Sequence, residues 1–157
     1  NGHSDWVTSL AFFKNSEILA SASGDGTARL WNVETGNALN FSAKHGSWTW
    51  SICLSPDGDL LVSAGNDSTV KVWDVGTGQC LSVLTGHTGQ IRSVAFNKNG
   101  NLLASASTDE TIRLWDLDSL KCIKTLADRP YENLNIRNIR GLSRVEVESL
   151  KSLGAVE

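Results

Sequence analysis

The sequence predicts an all-β chain built from three copies of one unit, each a four-stranded antiparallel sheet, followed by a short tail. Three observations carry this prediction. Residues of four classes recur at a fixed interval of 42: Trp31, Trp73 and Trp115; His3, His45 and His87; Ser21, Ser63 and Ser105; Asp25, Asp67 and Asp109. Within each interval, β-branched and aliphatic residues form short runs broken by Gly, Asn, Asp and Ser at roughly ten-residue spacing. No helical period appears before residue 128, so a radial array of strands is the expected architecture.

The first unit, residues 1–43, reads as strands over Val7–Phe13, Ile18–Ser23, Thr27–Val33 and Ala38–Ser42. The second, 44–85, repeats them as Trp48–Ser55, Leu60–Ala64, Thr69–Val75 and Cys80–Leu84. The third, 86–127, has Ile91–Asn97, Leu102–Ser107, Thr111–Leu117 and Cys122–Leu126. Its connections, Lys98-Asn99-Gly100-Asn101 and Thr108-Asp109-Glu110, are turn chemistry, so hairpins join the first three strands.

Each unit opens on a histidine dipeptide, Gly2-His3, Lys44-His45 or Gly86-His87, and its third strand closes on Trp31-Asn32, Trp73-Asp74 or Trp115-Asp116. On these residues the units resemble WD repeats, the blades of a β-propeller, over residues 1 to about 127. Lys44 for glycine and Asn32 for aspartate are conservative departures. The resemblance implies a WD-repeat β-propeller fragment of three blades, in a family whose rings usually have more. Such propellers serve as platforms for protein partners and rarely as catalysts. It also implies a buried relay in every blade, in which tryptophan donates to serine, serine to histidine and histidine to aspartate. The three structural tetrads are then His3/Ser21/Asp25/Trp31, His45/Ser63/Asp67/Trp73 and His87/Ser105/Asp109/Trp115.

Recurring His, Ser and Asp also invite a hydrolase reading. A nucleophilic triad needs one exposed serine beside an oxyanion hole, and three copies in register, each with a tryptophan six residues after the acid, argue for structure instead. A tryptophan buried in a thin sheet must place its N–H, and a satisfied chain of partners ties the opening loop, second strand, turn and third strand together. No catalytic residue is assigned. The three histidines belong to separate sheets, so no metal site is expected, and no cofactor is implied.

Trp6, Trp48 and Trp50 stand outside the 42-residue set. They lie where the loop enters the first strand of a blade, and the third blade places Gln90 and Arg92 there; Gly24, Asn66 and Thr108 precede the tetrad acids. By the resemblance these offsets fall on the rim of the upper face. Tryptophan with arginine and amides is the composition of an interface hot spot, so Trp6, Trp48, Trp50, Gln90 and Arg92 are the expected partner-binding residues. The competing reading packs one or more of these indoles into the channel or between blades.

Composition narrows the partners. Fourteen basic against seventeen acidic residues leave a formal charge of −3 on 157 residues, so no net positive field favours nucleic acid or an anionic membrane. No run approaches the roughly 18 to 20 apolar residues of a spanning helix, and Asn1-Gly2-His3-Ser4-Asp5 lacks a secretory layout; a cytoplasmic protein is expected. Cys53, Cys80 and Cys122 form no framework and read as small buried hydrophobes. Asn66-Asp67-Ser68 matches a glycosylation acceptor by coincidence of turn composition. The absence of methionine predicts a segment of a longer chain.

Beyond Leu126 the period stops. Residues 128–143 read as a polar connector, and a helix is expected over 144–153, with Ser143 and Glu146 as a capping box and Gly154 at its end. The tail, from Arg129-Pro130-Tyr131-Glu132 through Leu153-Gly154-Ala155, resembles the closing segment of bacterial signalling ATPases of the NB-ARC or NACHT type, although no P-loop occurs here. The expected function is a scaffold or sensor module that binds a protein or peptide partner on the propeller's top face. The alternative is an architectural, autoregulatory segment of a signalling ATPase without a partner of its own. Three blades leave two open faces, so further blades elsewhere or self-association into a six-bladed ring is expected.

Overall fold

The structure, a computed structural model, describes residues 2–14, 17–127, 148, 149 and 151. Among them run twelve strands: β1 (Val7–Phe12), β2 (Ile18–Ser23), β3 (Thr27–Asn32), β4 (Ala38–Lys44), β5 (Thr49–Leu54), β6 (Leu60–Gly65), β7 (Val70–Asp74), β8 (Cys80–Leu84), β9 (Ile91–Phe96), β10 (Leu102–Ser107), β11 (Thr111–Asp116) and β12 (Lys121–Ala127). They form three four-stranded sheets, each in simple sequence order: β1-β2-β3-β4, β5-β6-β7-β8 and β9-β10-β11-β12. The all-β, three-blade architecture read from the period is the one observed.

Strand ends differ from expectation where turn chemistry intervenes. β3 stops at Asn32, whose side-chain oxygen accepts from the N–H of Thr35 at 2.7 Å and its hydroxyl at 2.8 Å. Asp74 holds Thr77 in the same way, and Asp116 holds Ser119. Only one acceptor oxygen is used in each turn, which is why Asn32 serves as well as aspartate. β4 runs on to Lys44, beyond the limit expected at Ser42, because Lys44 still pairs with Thr27.

Two apolar layers join the sheets. Ala20, Ala22, Ala28 and Leu30 of the first blade pack on Ile52, Leu61 and Trp73 of the second. Val62, Ala64, Val70 and Val72 of the second pack on Val94, Leu103 and Trp115 of the third. Ala20 and Ala22 on β2 and Ala64 on β6 let the next blade's tryptophan, Trp73 or Trp115, lie close to the sheet. The first strands of successive blades adjoin, β1 beside β5 and β5 beside β9. Cys53 sits at the second layer, and burial pushes its thiol up to about 12, so it stays protonated and unreactive. Cys80, expected to be buried, is exposed, because β8 is the outermost strand of its sheet.

The strands make up one compact unit, Asn1–Leu126, and the following residues a second. In the second unit Glu148, Ser149 and Lys151 are helical. The rest of the expected connector and helix lies outside the described residues.

Candidate functional site

Two sets of side chains stand out: the relays inside the blades and an aromatic row at the entry to their first strands. In the first blade Trp31 Nε1 donates to Ser21 Oγ at 2.7 Å, His3 Nε2 lies 2.6 Å from that hydroxyl, and His3 Nδ1 lies 3.0 Å from Asp25. In the third, Trp115 Nε1 donates to Ser105 Oγ, and His87 bridges Ser105 and Asp109, each link being 2.8 Å. Proton positions follow from the acceptor-only carboxylate. The imidazole nitrogen facing it carries the hydrogen, the other accepts from serine, and the serine oxygen is left to accept from indole. Every link then has one proton.

Burial pushes the Asp25 carboxyl upward, but hydrogen bonds from the Thr27 hydroxyl, the Ser4 N–H and His3 outweigh it and hold it well below the usual carboxylate range. Asp109 is held down likewise by Thr111, the Thr88 N–H and His87 against the same effect of burial. The threonines escaped sequence reasoning. Thr27, Thr69 and Thr111 donate through both N–H and hydroxyl to Asp25, Asp67 and Asp109. Their 42-residue spacing was the signal that could have found them.

The second blade is wired differently. His45 presents Nδ1 to Ser63 at 2.9 Å and Nε2 to Asp67 at 2.9 Å, so its ring is turned over and carries the opposite tautomer. Gly65 permits this, since a Cβ there would collide with the Trp48 carbonyl and meet the imidazole at 3.2 Å; the first and third blades carry Ser23 and Ser107 instead. Lys71 donates to the His45 carbonyl and lies 3.7 Å from Asp67. Lys71 replaces the arginine found as Arg113 in the third blade, whose guanidinium lies 2.5 Å from where a Gly86 Cβ would be. The shorter, unbranched Lys71 accompanies the only side chain at that register position, Lys44. Burial lowers the His45 pKa below its ordinary value, against the pull of Asp67.

A serine that donates to histidine and a histidine that donates to aspartate reproduce the hydrogen-bond order of a hydrolytic triad. Here the serine oxygen also accepts an indole N–H, and Ser21, Ser63 and Ser105 are 3 %, 0 % and 1 % exposed. No substrate carbonyl reaches them.

The aromatic row arises from a repeated irregularity. The β1–β2 pairing skips Thr8, β5–β6 skips Trp50 and β9–β10 skips Arg92, so the extra residue of a bulge falls at one register position in each blade. A bulge re-aims its side chain. Thr8 donates to the Thr49 carbonyl at 2.6 Å, and the Arg92 guanidinium lies 4.0 Å over the Trp50 ring, each reaching into the neighbouring blade. Just ahead of the bulges, the carbonyls of Trp6, Trp48 and Gln90 accept from the N–H groups of Gly24, Asn66 and Thr108 at 2.8–2.9 Å. Trp6 and Trp48 meet edge to face with centroids 5.9 Å apart, and Trp48 and Trp50 lie 5.2 Å apart. Trp6–Trp48–Trp50–Arg92 is thus one continuous row across three blades. Trp6 is 72 % exposed and Trp48 37 %, whereas Trp50 is half-buried and its Nε1 has no hydrogen-bond partner among the described residues. Gln90 is half-buried, and only its backbone takes part in the repeated bond.

Among the described residues no group of three or more His, Cys, Asp or Glu is placed to hold a metal ion, and no helix is long and apolar enough to cross a membrane.

Repeated four-stranded antiparallel sheets, each pinned by an indole–serine–imidazole–carboxylate relay and stacked through their first strands, define a repeat-built array of the β-propeller kind. The family model described as WD domain, G-beta repeat matches residues 1–32, 38–74 and 78–116. The chain belongs to the WD-repeat family, whose domains in general mediate protein–protein interactions and are non-catalytic scaffolds.

Proposed function

We propose that the three blades form a non-catalytic interaction module that takes a protein or peptide segment across the row Trp6–Trp48–Trp50–Arg92, with Gln90 at its end. The observation that carries this reading is the continuity of the row. A 72 %-exposed indole in ring contact with a second is a large apolar surface left to water, and it ends on a cation already seated on an aromatic face. The bulges and carbonyl bonds anchor the row at the strand entries, so a partner loses little affinity to ordering it. The relays are assigned to structure, and the inaccessible serines support a chain without hydrolytic activity. A cytoplasmic signalling protein of the bacterial ATPase type is the proposed context, and it rests on the likeness of residues 129–155.

Panning a displayed random-peptide library against the chain tests the reading. Enriched peptides are expected to lose roughly 30-fold or more in affinity on Trp6→Ala or Trp50→Ala, the loss of a hot-spot residue. Peptides that bind both variants as well as the parent would refute it.

A further inference from the structure

The aromatic row carries one charge at each end, and neither charge belongs to the repeat. Asp5 stands where the second and third blades have Ser47 and Gly89, and Arg92 stands where the first and second have Thr8 and Trp50. Each lies at a junction between blades that the chain itself forms. Asp5 Oδ1 accepts from the Trp6 N–H at 2.7 Å. Its Oδ2 and the Trp48 ring crowd one glycine, since a Cβ on Gly24 would lie 2.9 Å from Oδ2 and 3.4 Å from Trp48 Cδ2. Gly24, where the other blades have Asn66 and Thr108, thus leaves room for a carboxylate beside the next blade's indole. At the other end the Arg92 guanidinium lies 4.0 Å over the Trp50 ring of the second blade. Both charged residues are exposed. Among the described residues Asp5 Oδ2 receives no hydrogen bond, and the Arg92 guanidinium meets neither an acceptor nor a carboxylate.

Given that row as the binding surface, we infer that the protein segment it takes carries a Lys or Arg at the Asp5 end and an Asp or Glu at the Arg92 end. A cation beside Asp5 also gains the rings of Trp6 and Trp48, of which Trp6 is 72 % exposed. The unspent N–H donors of Arg92 suit a carboxylate, which takes them two at a time, and one guanidinium balances one such charge. Steps of 5.9 and 5.2 Å between ring centroids and 4.0 Å from Trp50 to Arg92 carry the row from its first indole to its cation. That reach, at most about 15 Å, is about four to five residues of extended chain at roughly 3.3 Å each, which sets the spacing of base and acid.

The probes are synthetic copies of peptides panned on the whole chain and weakened by Trp6→Ala or Trp50→Ala. They are expected to carry a base and an acid about four to five residues apart. Asp5→Lys is expected to weaken such a peptide roughly tenfold or more, and replacing the peptide's base by Glu to restore the affinity. Arg92→Glu is expected to act likewise, with affinity restored when the peptide's acid is replaced by Lys. Each restoration reads the charge at one end of the row, which damage to the fold would not mimic. Should either reversal lose its β-sheet circular dichroism, Asp5→Asn, which keeps an oxygen for the Trp6 N–H, and Arg92→Gln decide. Each is expected to weaken the charged peptide about threefold and to leave unchanged the peptide that lacks the matching charge. Tryptophan-dependent peptides without the two charges, or charge changes that leave affinity unmoved or uncompensated, would overturn the inference while the binding row stands. Peptides indifferent to both tryptophans would remove the row, and the charge order with it.

Discussion

Replacing Ser105 by Ala separates a structural relay from a catalytic one. The hydroxyl is 1 % exposed; it accepts from Trp115 Nε1 and lies 2.8 Å from His87 Nε2, and both partners are buried. Removing one oxygen leaves almost no cavity but strands an indole N–H and an imidazole lone pair. At about 1–3 kcal/mol for each stranded group the loss is roughly 2–6 kcal/mol. On a scale of about 2–8 °C per kcal/mol, the middle of that range is a fall in melting temperature of about 10 °C or more. Urea unfolding followed by tryptophan fluorescence measures the loss directly. Ser63→Ala is expected to behave alike, since its hydroxyl receives Trp73 Nε1 at 2.8 Å. A loss under about 0.5 kcal/mol in both variants would refute the relay. A hydrolytic serine would show the reverse, with activity lost and stability kept.

Three other perturbations read different parts of the fold. Leu120 has φ 55° where Gly36 and Gly78 occupy the same register at φ 68° and 72°, so Leu120→Gly relieves left-handed strain and is expected to raise stability by about 0.5–1 kcal/mol in thermal unfolding. Gly65→Ala drives a methyl group into the Trp48 carbonyl and the His45 ring; a loss of about 1–3 kcal/mol and a shifted Trp48 indole resonance are expected, and an unmoved resonance would contradict the placement of that loop. Acidification is expected to lower stability in two stages. His45 is buried neutral with a lowered pKa, so the unfolded chain takes up its proton first and stability falls as pH drops below 6.5. The depressed Asp25 and Asp109 stabilise fully above their ordinary 3.8, and that contribution is lost as pH falls through their folded pKa values. Melting temperature against pH checks both stages, and the first should vanish in His45→Asn.

The 42-residue period made most of the fold legible, because a repeat exposes which positions are spent on structure. Tryptophan, histidine, serine and aspartate in register mark one relay per blade, and the surplus of indoles pointed to the strand entries. What stayed hidden depends on pairing between segments. Trp50 and Arg92 meet only because each is the unpaired residue of a bulge, and a bulge is a property of two strands together. The turned ring of His45 follows from the missing side chain at Gly65, twenty residues away. Thr27, Thr69 and Thr111 were in plain register but look like ordinary strand residues until their hydroxyls are seen on the carboxylates. Cys80 illustrates the opposite error, since an apolar-looking position on an outer strand need not be covered.

In-register indoles hold the blades while Trp6, out of register, faces outward, and solvent exchange of the six indole N–H protons distinguishes them in one nuclear magnetic resonance experiment. Trp31, Trp73 and Trp115, bonded to Ser21, Ser63 and Ser105 at 2.7–2.8 Å, are expected to exchange slowly, and Trp6 at the rate of free indole. Fast exchange at Trp31, Trp73 and Trp115, or protection of Trp6 equal to theirs, would contradict the division of labour on which both the fold and the proposed binding row depend.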